Sequence, residues 1–135
     1  MALNCRFGLA VHVLAAIATN GKRLSSAELA KTMGTNPVVV RRLLGDLQRA
    51  GLVENRKGMQ GGSELARPPR QITLDQVYRA VDEYDFFHIP TPADKRCPTV
   101  CKAQEILGEL LDRSERAMEK ELRRTRLSDL IPQTR

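Results

Sequence analysis

The chain has 135 residues, with hydrophobic residues at 41%, aromatics at only 4% and no tryptophan, so it is sized for one domain with an aliphatic core. Its net charge is +6, and the segment from Asn20 to Arg70 holds ten Lys or Arg against four Asp or Glu, which accounts for the whole excess. Charge placed this way favours contact with a localised polyanion over a generally basic surface, and the longest apolar run, Leu9 to Ala18, is far short of the roughly 20 residues of a membrane helix.

The first residues lack the arrangement of a signal peptide, so a cytoplasmic location and no membrane association are expected. Phe7, Val11, Leu14, Ala15 and Ala18 repeat at helical spacing and predict a mostly buried first helix, ended by Asn20-Gly21. Ser25 with Glu28 three residues on is a capping box, which opens a second helix that carries Leu29, Ala30 and Met33 inward and stops at Gly34. A third helix follows at once. Asn36 caps it, and Pro37 takes the first helical position, where its missing N–H costs nothing. Val40, Leu43, Leu44 and Leu47 then form one apolar stripe, while Arg41, Arg42, Gln48 and Arg49 point elsewhere. Gly51 supplies the left-handed residue after it. Helix, glycine turn, helix is the helix-turn-helix unit, and the third helix has the basic outer face of a recognition helix.

Leu52 to Arg56 and Glu64 to Ala66 read as short strands flanking Lys57-Gly58-Met59-Gln60-Gly61-Gly62, a hairpin wing whose glycines permit close approach to a phosphate backbone. A flexible surface loop is the alternative; the adjacent Arg56-Lys57 pair favours DNA contact. Arg67-Pro68-Pro69-Arg70 reads as an extended linker. Thr73 to Gln76 is a second capping box, which opens a helix with Leu74, Val77, Tyr78 and Val81 facing the domain. Pro90, Pro92 and Pro98 mark a loop. From Pro98 to about Arg124 a long helix aligns Val100, Ala103, Ile106, Leu107, Leu110, Leu111, Ala117, Met118 and Leu122 on one broad stripe. At about 26 residues it spans roughly 39 Å, more than a small winged domain needs. Such a stripe asks for a partner, most simply the same helix of a second subunit through Ile106, Leu107, Leu110, Leu111, Ala117 and Met118; lengthwise packing on its own domain is the alternative. A short last turn is expected around Ser128 to Ile131.

The expected fold is therefore mainly α with a small β-hairpin. It comprises a winged helix-turn-helix domain over 1–84, a loop over 85–98, and a dimerisation helix and tail over 99–135.

Cys97 falls at the N-cap of the long helix, where the helix's partial positive charge and nearby Lys95 and Arg96 favour a thiolate. Cys101, one turn on, is placed for metal ligation or a disulfide. A thiol redox switch at these two, with Cys5 as a further candidate thiol, is the first expectation, a metal site the second, and inert thiols the third.

Arg6-Phe7 with Ala10 to Leu14, Ser25-Ser26 through Leu29-Ala30, Thr35 to Arg42, the Gly61-Gly62 wing, Leu65 to Pro69 and Ile72 to Val81 together resemble the Rrf-type winged-helix regulators, the family of IscR, NsrR, CymR and YwnA. The resemblance covers nearly the whole chain and is strongest toward the YwnA-like branch. It implies a homodimeric bacterial transcription factor, usually a repressor, that crosses its long C-terminal helices and binds a palindromic operator. One departure lies in the wing, where Ser63 and Glu64 follow the paired glycines in place of the usual aromatic.

The docking implied by this resemblance puts Arg41 and Arg42 in the major groove, where an Arg fork bonds guanine O6 and N7, with Val38 and Val39 near thymine methyl groups. Ser25, Ser26, Thr35 and Asn36 would meet phosphates through side chains and helix-start amides, with Arg49, Arg56, Lys57, Gln60 and Gly61 adding contacts. A surface ion pair with Asp46, four or five residues on, is the competing role for one of the two arginines, Arg42 ahead of Arg41. Cluster-binding members of the family use three cysteines near the long helix plus one further ligand. This chain has two there, so an iron-sulfur site would need Cys5 or His12 beside Cys97 and Cys101. The alternatives are a core or interface histidine at His12 and an ordinary thiol at Cys5. No paired-carboxylate, phosphate-loop or Ser-His-Asp arrangement supports an enzyme. The remaining rival is a winged-helix module that binds an acidic protein partner.

Overall fold

The computed structural model describes residues 5–81 and 96–132, with only the backbone of Cys5. The expected loop at 85–98, apart from its last three residues, and the Cys5 thiol lie outside the described residues. Helices α1 (Cys5–Asn20), α2 (Ser26–Met33) and α3 (Pro37–Arg49) are followed by strands β1 (Val53–Arg56) and β2 (Gly62–Leu65). A 3-10 turn (Pro69–Gln71), α4 (Leu74–Val81), α5 (Pro98–Arg123) and a second 3-10 turn (Leu127–Leu130) complete the order.

Local chemistry sets the helix ends. The Ser25 hydroxyl accepts from the Glu28 amide at 3.0 Å, and Gly34 closes α2 in the left-handed region at φ 65°. The Asn36 side-chain oxygen accepts from the Val38 amide at 2.8 Å, with Pro37 next in line. Each such cap stabilises its helix by about 1 kcal/mol. The apolar stripe of α3 packs as its spacing dictates: Val40, Leu43 and Leu47 are fully buried and Leu44 nearly so. Burial of each is worth at most about 1.5–3 kcal/mol.

α1 lies at the centre, against α2, α3, α4, β2 and the C-terminal 3-10 turn. Its deepest residues are Ala10, Val13, Leu14 and Ile17, with Val11 beside them, while Phe7, Ala15 and Ala18 are only partly buried. The inward face is thus rotated relative to the expected stripe, because a helix with neighbours on several sides is not limited to one apolar face. Phe7 meets Tyr78 of α4 edge to face at 5.8 Å between ring centres.

β1 and β2 pair antiparallel, with Asn55 opposite Ser63 and Arg56 opposite Gly62. The second strand begins two residues earlier than expected, because Gly62 and Ser63 pair with Arg56 and Asn55 of β1; Ser63 also exchanges backbone bonds with Leu24 (Ser63 N to Leu24 O at 2.8 Å, Leu24 N to Ser63 O at 3.1 Å). That pairing adds a one-residue third strand to the wing. The expected extended linker instead closes a 3-10 turn, with the Gln71 amide donating to the Pro68 carbonyl at 2.8 Å. At Thr73 only half of the capping box forms: Gln76 accepts from the Thr73 amide at 3.1 Å, while the Thr73 hydroxyl donates to Asp75.

None of the residues of α5 is buried, and Val100, Ile106, Leu107 and Leu110 are exposed. Ala117 is exposed as well, whereas Leu111 and Met118 are half-buried. The C-terminal end of α5 is tied to α4 by Arg123 donating to Asp75 at 3.2 Å and Arg79 to Glu119 at 3.0 Å. The chain then runs back along 72–74, with Leu74 N on Thr125 O at 3.0 Å and Leu127 N on Ile72 O at 2.8 Å. Leu127 is fully buried among core side chains of the helix-turn-helix.

Candidate nucleic-acid interface

The face built around α3 follows from its caps and stripe. With Val40, Leu43, Leu44 and Leu47 turned inward, Val38 and Val39 are left 46% and 38% exposed near the helix start. Arg41 and Arg42 are exposed, and neither makes a hydrogen bond or ion pair among the described residues. The competing Arg42–Asp46 pair does not form. Asp46 is held instead by Arg6 of α1 and by Arg49. Arg6 also donates to the Val81 carbonyl at 3.2 Å, so this carboxylate joins α3 to α1 and to the end of α4. Among the described residues Arg41 and Arg42 thus have no partner, whereas Arg49 has one in Asp46.

Ser25 and Asn36 use one acceptor each on their caps, and among the described residues the serine hydroxyl proton and the Asn36 amide hydrogens have no partner. Ser26 and Thr35 are half-buried, and the Thr35 amide is spent on the Ala30 carbonyl at 2.9 Å. In the wing, Arg56, Lys57 and Gln60 are exposed and Gly61 is half-buried. A Cβ on Gly61 would run into the Arg56 carbonyl, and one on Gly62, at φ 138°, would lie 2.8 Å from the Leu24 carbonyl. The paired glycines therefore serve close backbone packing at the base of the tip.

Two residues that periodicity does not single out, Asn55 and Ser63, join the wing to α3. Asn55 donates its side-chain amide to the Leu44 carbonyl at 3.1 Å, and its backbone amide to the Gln48 side chain at 3.2 Å. Its oxygen accepts from the Ser63 hydroxyl at 2.6 Å. Ser63 is 3% exposed, and the neighbouring Glu64 pairs with Arg23 at 3.0 Å. The departure from an aromatic wing thus has a defined structure, a polar brace in place of a ring.

Cys97 is the N-cap residue of α5 and is half-buried; Cys101 is exposed, its amide donating to the Cys97 carbonyl at 3.1 Å. Neither cysteine is in a disulfide. His12 is exposed on α1 and is not a core residue. Among the described residues no three His, Cys, Asp or Glu side chains converge as metal ligands, and no helix is long and apolar enough to cross a membrane.

A capped helix with free arginines, set in a helix-turn-helix and braced to a basic hairpin, defines a winged helix-turn-helix DNA-binding protein. The chain belongs to the Rrf2 family, described as iron-dependent transcriptional regulators, and the match runs over residues 3–133. It is therefore a transcriptional regulator and not an enzyme. It is 37% identical over 130 residues to YwnA of Bacillus subtilis, named as an HTH-type transcriptional regulator, covering 96% of each chain. A crystal structure described as that of a DNA-binding protein superposes with a TM-score of 0.73 at 35% identity, covering 93% of this chain and 97% of the other. CymR, the global cysteine regulator of B. subtilis, shares the fold at a TM-score of 0.66 and 20% identity, over 96% and 95% of the two chains.

The family description carries iron, but iron–sulfur clusters are held by about four cysteine ligands. The described residues offer two thiols one turn apart, so they do not by themselves fit such a group.

Proposed function

We propose that the protein is a homodimeric repressor in the cytoplasm that reads a palindromic operator with residues 1–84 and pairs through residues 99–135. Arg41 and Arg42 contact guanines in the major groove, and Val38 and Val39 meet thymine methyls. Ser25, Ser26, Thr35 and Asn36 take phosphates on one side of α3, and Arg56, Lys57, Gln60 and Gly61 take them from the wing. The observation that carries this reading is the pair of exposed arginines without a partner among the described residues, on a helix whose other face is packed.

The second copy is argued from α5, where Ile106, Leu107 and Leu110 are 56%, 42% and 49% exposed on a helix with no buried residue. Together with Leu111, Ala117 and Met118 they offer a seam to the same helix of a second chain. Two recognition helices would then address half-sites about 34–36 Å apart, or a multiple of that.

The signal in this reading is oxidation of Cys97 and Cys101. Hydrogen peroxide accepts two electrons and two protons from the two thiols and leaves as two waters, and a disulfide joins the sulfurs. Cβ atoms one helical turn apart are about 5–6 Å distant, whereas a disulfide takes about 3.8 Å, so closure pulls open the first turn of α5.

Binding isotherms on a selected operator and on random duplex test the DNA contacts. Arg41→Ala should lose about 1–3 kcal/mol on the operator and relax preference at one base pair, while Lys57→Ala weakens all sequences alike. Equal losses on both duplexes for both variants would refute this division. Operator binding indifferent to peroxide and to Cys97→Ser would remove the redox switch. The family's iron favours a second reading, a cluster at Cys97 and Cys101 completed by Cys5 or His12 of either copy. A visible absorption band in anaerobically purified protein would identify it.

A further inference from the structure

We infer that Asn55 is a positioning residue for DNA reading, holding the wing against the recognition helix so that the cations of both meet one duplex in fixed register. The inference rests on the DNA contacts proposed above and adds a residue that touches no base or phosphate in that scheme.

Asn55 stands between the two cationic groups. Arg56 and Lys57 follow it directly into the wing, and its partners Leu44 and Gln48 lie on α3 just beyond Arg41 and Arg42. Its amide can sit only one way. The Leu44 carbonyl only accepts, so the side-chain nitrogen must face it, which turns the oxygen toward the Ser63 hydroxyl. Ser63 is itself immobilised: it is 3% exposed, paired opposite Asn55 across the hairpin, and bonded through both backbone groups to Leu24. The brace therefore runs from the connector before α2, through β2 and β1, onto the main chain and side chain of α3.

Two weak contact groups held rigidly act as one site, because the second meets DNA at high effective concentration once the first is bound. A loose wing would have to be ordered at each encounter. Asn55 and Ser63 supply that rigidity through side chains, while the ladder from Val53 to Leu65 keeps the hairpin itself intact without them.

The test is a double-mutant cycle in the full-length chain, read by fluorescence anisotropy on an operator selected from random duplex. Asn55→Ala is made alone and in a wing variant lacking Arg56 and Lys57. Asn55→Ala should weaken operator binding about fivefold in the natural background and leave affinity nearly unchanged in the wing variant, since no cations remain to position. Ser63→Ala should act in the same direction and add little to Asn55→Ala; it carries the same cycle if Asn55→Ala fails to fold. An equal loss in both backgrounds overturns the inference while leaving the wing contacts standing, because the residue then acts through stability or through α3 alone. Unchanged affinity in the wing variant itself means that the wing does not touch DNA, and both readings fall.

Discussion

Replacement of Leu127 by alanine should destabilise the DNA-binding domain although the residue lies beyond α5. Leu127 is 0% exposed and its amide is bonded to Ile72, so three carbons leave a closed site that its neighbours can refill only in part. Transfer of three buried carbons is worth about 2.4 kcal/mol at about 0.8 each. The residual cavity brings the expected loss to about 3–5 kcal/mol. With a urea dependence of about 1.5–2 kcal/mol per molar, the midpoint should fall by roughly 2 M. Urea unfolding followed by circular dichroism measures this, at two protein concentrations so that any dimer contribution separates as a concentration dependence. Leu130→Ala is the control: Leu130 is 45% exposed, and its truncation should stay within about 0.5 kcal/mol. A Leu127→Ala midpoint within about 0.3 M of the parent would refute the assignment of this residue to the core.

Acid stability should depend on Asp75. Burial pushes its carboxyl up, but the Thr73 hydroxyl and the bonded Arg123 guanidinium outweigh this, with Arg79 adding, so it is held below its ordinary 3.8. A depressed folded value gives stability that is present above 3.8 and lost as pH falls through the lower folded value, so Asp75→Asn should flatten the acid limb of the melting curve. Identical acid limbs would show that this carboxylate does not govern it. Leu110→Glu should convert a dimer to a monomer by light scattering with helicity retained; a parent protein of single-chain mass would disprove the pairing of α5. Arg49→Ala should change the salt dependence of DNA binding less than Lys57→Ala, which should lower the log–log slope by about 0.9, because Arg49 already has Asp46. Equal slope changes would count against this ranking.

The helix-turn-helix was legible because its signals are local. Ser25, Gly34, Asn36 and Pro37 each act within a turn of where they sit, and the α3 stripe has an unambiguous period. The inward face of α1 was less so, since a central helix has several neighbours and nearly every position is apolar. Asn55, Ser63 and Asp75 were missed for a different reason: a polar residue in a strand or first turn gives no sign that a carbonyl, hydroxyl or guanidinium distant in sequence will meet it. Arg49 and Asp46 illustrate the same limit, because the Arg6 that completes the pair lies forty residues away. The proline-rich linker turned into a 3-10 turn because the Pro68 carbonyl was free to take the Gln71 amide, a three-residue closure that an X-Pro bias toward extension does not forbid.

The ties between α4 and α5 have a mechanical meaning. Glu119 and Arg123 fasten the last turns of a 26-residue helix, and Cys97 stands at its other end, about 33 Å from Glu119 at 1.5 Å per residue. A tilt of about 5° around that fastening carries the Cys97 end through about 3 Å, while Arg123 hardly moves. On the redox reading proposed above, the helix would act as a lever with its fulcrum at the ties to α4 and its handle at the thiols. Oxidation at those thiols, on that reading, would then act at the point of greatest mechanical advantage.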